Sequence, residues 1–259
     1  MKRSIKSLLG YAMKETDGEI GKVNEFYFDD DSWTIRYFIV KTGNWLSGRK
    51  VLISPVVVEE PDWEKKEFPV NLTKEQIENS PDIDTDKPVS RQQEEQLSGY
   101  YPWGMYWGDE PDAHGAGIFG MMPGDLYNEE TGENNATETV ESSQNNDLHL
   151  QSTKEVTGYT IHATDGEIGK VVDFIIDDAS WKIKFLVVDT GTWIDSRKVL
   201  LSTDWIKKVN WDNSNVIVDI SINEVKGSPE FNATQPVNET YEQKLYDYYG
   251  RPQDDDESE

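Results

Sequence analysis

The 259-residue chain contains no cysteine. Disulfides, thiolate metal sites and cysteine nucleophiles are therefore excluded. The lack also suits a reducing compartment, and a cytoplasmic location is the expectation. Histidine is nearly as scarce. His114, His149 and His162 share no spacing, so they do not form a metal-ligand pattern. No apolar run approaches the ~20 residues that a membrane-crossing helix requires, and no apolar signal core follows the basic residues 1–6. Gly-x-Ser-x-Gly, phosphate-loop and dinucleotide fingerprints are missing as well. Gly18-x-x-Gly21-Lys22 opens a strand rather than a helix, so it does not read as a phosphate loop.

Positive charge is short: 25 Lys and Arg stand against 50 Asp and Glu, a net −25. Residues 104–152 hold ten acids and no base, and residues 254–259 hold five more acids. The remainder carries 35 acids against 25 bases, so most of the excess belongs to a linker and a tail rather than to folded surfaces. A basic footprint, the first requirement for nucleic-acid binding, is absent.

What is present is a duplication. Residues 10–101 and 158–249 align at a constant offset of 148 without a gap, with 25 identities over the 45 positions 10–54. Gly18-Glu19-Ile20-Gly21-Lys22-Val23 returns as Gly166-Glu167-Ile168-Gly169-Lys170-Val171. Ser32-Trp33 returns as Ser180-Trp181, and Arg49-Lys50-Val51-Leu52 as Arg197-Lys198-Val199-Leu200. A period this long means two domains, not a solenoid. The division is 5–101 for the first domain, 102–152 for an acidic, partly aromatic linker, 153–249 for the second domain and 250–259 for an acidic tail.

Within each copy, short alternating runs broken by Asp-Gly and Asp-Asp turns predict about six strands and hence a small antiparallel barrel. Gly21 is expected at a bulge, and residues 56–58 as a strand. Thr73-Lys74-Glu75-Gln76 and Ser221-Ile222-Asn223-Glu224 are capping boxes that open short helices. A second helix follows in each copy. The aromatic strings Tyr100-Tyr101-Pro102-Trp103 and Tyr246-Asp247-Tyr248-Tyr249 just after each barrel are expected to pack across onto the other barrel, the alternative being an exposed patch for another protein. Residues 128–146 read as disordered.

Gly-Glu-Ile-Gly-Lys-Val, Asp-Asp-x-Ser-Trp, Thr-Gly-x-Trp and Arg-Lys-Val-Leu, in this order, resemble the PRC-barrel family over residues 5–80 and 153–228. That family includes the cytoplasmic domain of the photosynthetic reaction centre H subunit and a domain of a ribosome maturation factor. The resemblance implies two six-stranded β-barrels, each trailed by short helices, that act as adaptors, with no catalytic residue or cofactor to carry over. The H subunit's N-terminal membrane helix has no counterpart in this sequence, so a photosynthetic role is not expected.

Candidate sites follow. Trp45 with Arg49 and Lys50, and Trp193 with Arg197 and Lys198, form a candidate interaction surface, because aromatic and Arg residues dominate interface energetics. The alternative, favoured here, is that each Trp caps a barrel end and the cations solvate a strand start. Asp29-Asp30-Asp31 and Asp177-Asp178 have cation-binding chemistry but read as turn residues. The expectation is a non-enzymatic interaction or scaffold module. Its barrels pair within the chain or as a homodimer, its protein partner is unknown, and no cofactor or metal is involved. Two alternatives are a peripheral accessory of a membrane electron-transfer complex, by likeness to the H subunit, and a small-ligand or ion-binding stress protein.

Overall fold

A computed structural model describes residues 1–15, 18–82, 89, 91–101, 103, 149–191 and 197–252. The chain opens with β1 (Lys2–Ser4) and one helical turn, α1 (Ile5–Leu8). It continues through β2 (Ala12–Glu15), β3 (Gly18–Asp29), β4 (Thr34–Thr42), β5 (Lys50–Ile53) and β6 (Glu67–Pro69) to α2 (Lys74–Glu78) and α3 (Arg91–Tyr100). The second copy repeats the plan as β7 (Leu150–Ser152), α4 (Thr153–Val156), β8 (Thr160–Ala163), β9 (Gly166–Asp177), β10 (Ile183–Asp189) and β11 (Lys198–Ser202). Strands β12 (Ile206–Asn210) and β13 (Asn215–Val218) and helices α5 (Ile222–Gly227) and α6 (Glu239–Tyr249) complete it.

The result is mainly β, with one strongly bent sheet per copy. The first runs β5-β4-β3-β2-β6 and the second β11-β10-β9-β8-β13-β12. Neighbours are antiparallel except β2 with β6 and β8 with β13, which are parallel. The bulge expected at Gly21 is present: Met13 faces Gly21 and Lys14 faces Glu19, leaving Ile20 extra. Its glycine is required by close approach. A Cβ on Gly21 would sit 2.3 Å from the Lys41 carbonyl oxygen, and one on Gly169 2.1 Å from that of Asp189. Residues 55–57 form a 3-10 turn instead of the expected strand, because Ser54 caps it and Pro55 takes its first position. Both capping boxes form as the sequence predicts.

Each sheet also contains a strand from the other copy. β1 pairs with β9 (Lys2 facing Asp177, Ser4 facing Ile175), and β7 pairs with β3 (Leu150 facing Asp29, Ser152 facing Tyr27). These pairings are related by the 148-residue offset, so the two barrels exchange their first strands about a pseudo-twofold axis. The exchange has a clear cause. β2 covers β3 only from Gly18 to Lys22, which leaves the Tyr27–Asp29 end of that edge without a partner until β7 arrives. Unpaired backbone groups on a buried edge are costly. The barrels accordingly pair within the chain, and buried apolar side chains of both copies form one continuous cluster.

Candidate functional site

The axis runs between the two Ser-Trp turns. Asp29 begins the first: its carboxylate accepts from the Ser32 amide at 2.8 Å and the Ser32 hydroxyl at 2.6 Å. Asp177 does the same for the amides of Ala179 (3.0 Å) and Ser180 (3.1 Å). Burial acts to raise the Asp177 pKa, but these amides outweigh it and hold the carboxyl below its ordinary 3.8. Asp30, also partly buried and flanked by Asp31 and Asp29, is pushed upward. These carboxylates are turn formers.

The tryptophans that follow adopt positive φ, 55° at Trp33 and 59° at Trp181, a conformation rare for a bulky residue. It is maintained by hydrogen bonds on both sides. The Trp33 amide donates to the Asp29 carbonyl at 2.8 Å, and the Trp33 carbonyl accepts from the Ile183 amide of the other copy at 2.7 Å. Reciprocally, Trp181 accepts from Ile35 at 2.9 Å, and Thr34 bridges Lys182 on the axis. The Trp181 ring meets Phe38 edge-on at 4.9 Å and Phe68 at 6.0 Å, both in the first barrel. The Ser-Trp motif is therefore the inter-barrel joint. In the sequence it was visible as a repeated motif but not as a joint, since nothing local states that its carbonyls serve another domain.

A second device fixes the exchanged strands. Glu242 of α6 is buried and pairs with Lys2 of β1 at 2.7 Å, while the equivalent Glu94 of α3 is buried and pairs with His149 Nε2, just before β7, at 2.7 Å. Each trailing helix thus grips the strand donated to its barrel. Tyr37, beside Glu94, has its phenol pKa raised by burial and by that carboxylate. Alongside, Arg3 donates to the Asp178 carboxylate at 2.6 Å and lies 3.5 Å over the Trp63 ring. His149 was legible only as an isolated histidine.

The sequence-selected surface residues sit elsewhere. Trp45 is half-buried, its indole N–H donating to the Ile20 carbonyl at 2.7 Å with Lys74 Nζ 5.8 Å from the ring centroid. Arg49 donates to the Ser80 and Pro81 carbonyls at 3.0 and 2.8 Å, and Arg197 to the Val225 carbonyl at 2.6 Å and to that of Lys226. Both arginines thus satisfy the C-terminal ends of α2 and α5. Lys50 is half-buried and Lys198 exposed; Trp193 and His114 lie outside the described residues. The expectation that the aromatic strings cross to the other barrel is corrected for Tyr100, Tyr248 and Tyr249. Tyr249 packs on Trp205 of its own barrel at 4.5 Å, and the Tyr100 and Tyr248 hydroxyls donate to the Gln76 and Glu224 carbonyls of their own copies. The hydroxyls at the ends of α3 and α6 reach the short helices α2 and α5 of their own copies instead.

The PRC-barrel domain model matches the chain twice, over residues 6–77 and 152–223, more than half its length. The chain belongs to the PRC-barrel family. No curated protein matches it significantly. Strand β1 and all but the last residue of β7 lie outside the matched segments, as do Lys2, Glu94, His149 and Glu242. The strand exchange and the buried Lys2–Glu242 and His149–Glu94 contacts are thus features of this PRC-barrel protein beyond the matched pattern. Among the described residues no helix is long and apolar enough to cross a membrane.

Proposed function

We propose that the protein is a non-enzymatic interaction module whose two PRC barrels act as one rigid scaffold. The observation that carries this reading is the reciprocal strand exchange. It fixes the two barrels in one orientation, so their outer faces reach a partner as a preset pair rather than as two independently tumbling domains. Two equivalent corners result, one at Trp45 and Lys50 and the other at Lys198. A partner that contacts both gains effective concentration from the fixed spacing. Arg49 and Arg197 support this surface from beneath by holding the helix ends.

The test is affinity capture with the tagged full chain from its host's lysate, soluble and membrane fractions kept apart. The reading expects a stoichiometric protein partner, with recovery reduced by the combined changes Lys50→Glu and Lys198→Glu. Clean lanes from both fractions would refute it. Recovery of a membrane electron-transfer complex would instead favour the H-subunit-like reading, which rests on the family resemblance alone.

A further inference from the structure

Because the chain builds the same barrel twice, a surface feature found in one copy alone is not a requirement of the fold. One such feature crosses the first sheet. Lys22 of β3 faces Lys41 of β4, and Lys41 faces Lys50 of β5. Directly opposed residues share a face of the sheet, so three lysines stand side by side on adjacent strands. In the second copy the same row reads Lys170, Asp189 and Lys198. Asp189 faces both lysines and places a carboxylate between them. Position 41 is where the two rows differ in sign.

Like charges opposed across a ladder cost stability, and opposite charges add to it. The second copy takes the favourable arrangement and the first does not. Lys22 and Lys41 are exposed and Lys50 is half-buried. Among the described residues neither Lys22 nor Lys41 has an ion-pair partner, in a chain of 50 acids and 25 bases. The row continues from Lys22 through Ala12 to Glu67, whose carboxylate is already paired with Lys14. From the ~4.8 Å spacing of strands the three lysines span about 10 Å, longer than one phosphate group. Arg49, the planar fork that would suit a phosphate, is turned to the Ser80 and Pro81 carbonyls. What remains is a line of point charges suited to several carboxylates on one chain.

We propose that this lysine row is the docking site for an acidic protein segment, whose carboxylates lie across β3, β4 and β5 of the first barrel. The inference rests on the interaction-module reading and adds to it the chemistry of the partner and the barrel that receives it. The matching face of the second barrel holds Asp189 between its lysines and does not take the segment.

The test titrates the full-length protein with a fluorescein-labelled oligoglutamate peptide at about 0.1 M salt, where a Debye length of about 10 Å screens the chain's overall charge. Saturable, one-to-one binding is expected, weakened by further salt. Lys41→Asp installs the second copy's residue and removes the opposed like charges. It is expected to weaken binding about tenfold or more without lowering Tm. Lys244→Asp, the same charge change at an exposed position of α6, is expected to leave binding unchanged. Asp189→Lys is expected to create a second site. Absence of saturable binding to the native protein would overturn the proposal, as would equal losses in Lys41→Asp and Lys244→Asp. So would tighter binding of a single-stranded oligothymidylate, which would make the row a nucleic-acid surface. A partner captured from lysate equally well by the native chain and by Lys41→Asp would overturn this inference and leave the module reading standing.

Discussion

Glu94 and Glu242 illustrate how much of this fold is decided by single side chains. A carboxylate removed from water needs a cation or hydrogen-bond donor beside it, and here that partner comes from the exchanged segment in both copies, Lys2 for Glu242 and His149 for Glu94. Truncating one partner strands the other. Lys2→Met is therefore expected to cost about 3–5 kcal/mol, the range for leaving a buried charge unpaired, as measured by urea unfolding. Replacing Lys2 and Glu242 together with Met and Leu is expected to recover most of that loss. At Gly169, an added methyl would sit 2.1 Å from a backbone oxygen that cannot move without breaking the ladder to β10. Gly169→Ala is expected to destabilise the protein by about 1–3 kcal/mol, again read from unfolding midpoints, and Gly21→Ala by a similar amount. Asp177 sets a pH signature. Its folded pKa lies below the ordinary 3.8, so its contribution is fully present above that value and is lost as pH falls through the lower, folded pKa. Asp177→Asn is expected to lower stability near neutrality, where the carboxylate's contribution is present, and to converge on the native protein towards pH 2.5, which flattens this part of the acid limb in unfolding curves recorded from pH 6 downward.

At the scale of elements, the sequence revealed whatever is encoded locally. The bulge at Gly21, both capping boxes and the Asp-Ser turn are written in adjacent residues, and each is found where its residues stand. One stretch was misjudged for a local reason and another because its decisive partner is remote. Residues 56–58 alternate poorly and are apolar, which suits a strand, yet the Ser54–Pro55 start imposes a 3-10 turn. Strand β1 is three polar residues long, too short and too hydrophilic for any periodicity to disclose that it completes a sheet 170 residues away. The joint carries its own test. Trp181→Ala removes the ring that sits against Phe38 and Phe68 across the barrel boundary. It is expected to cost about 3–5 kcal/mol, the range for emptying a large aromatic site, reduced somewhat because Trp181 is half-buried.

Over the whole molecule, the path of the chain separates covalent connection from physical association. Residues 1–8 lie on the second barrel, β2 to α4 on the first, and β8 to α6 on the second, so the chain passes between barrels at residues 9–11 and 157–159. The connection between copies leaves from Trp103 and returns at His149, and both of these residues stand against the first barrel. Among the described residues, the barrels are joined by the reciprocal strands, the Trp33 and Trp181 carbonyl bonds and the Lys2–Glu242 and His149–Glu94 contacts. The most direct measurement is therefore to place a specific protease site within residues 104–148 of the full-length protein, cleave it, and determine the mass in solution by size-exclusion chromatography with light scattering. The account predicts that the two fragments co-elute at the mass of the intact chain and unfold together. Fragments that separate under native conditions, each folded by itself, would contradict it.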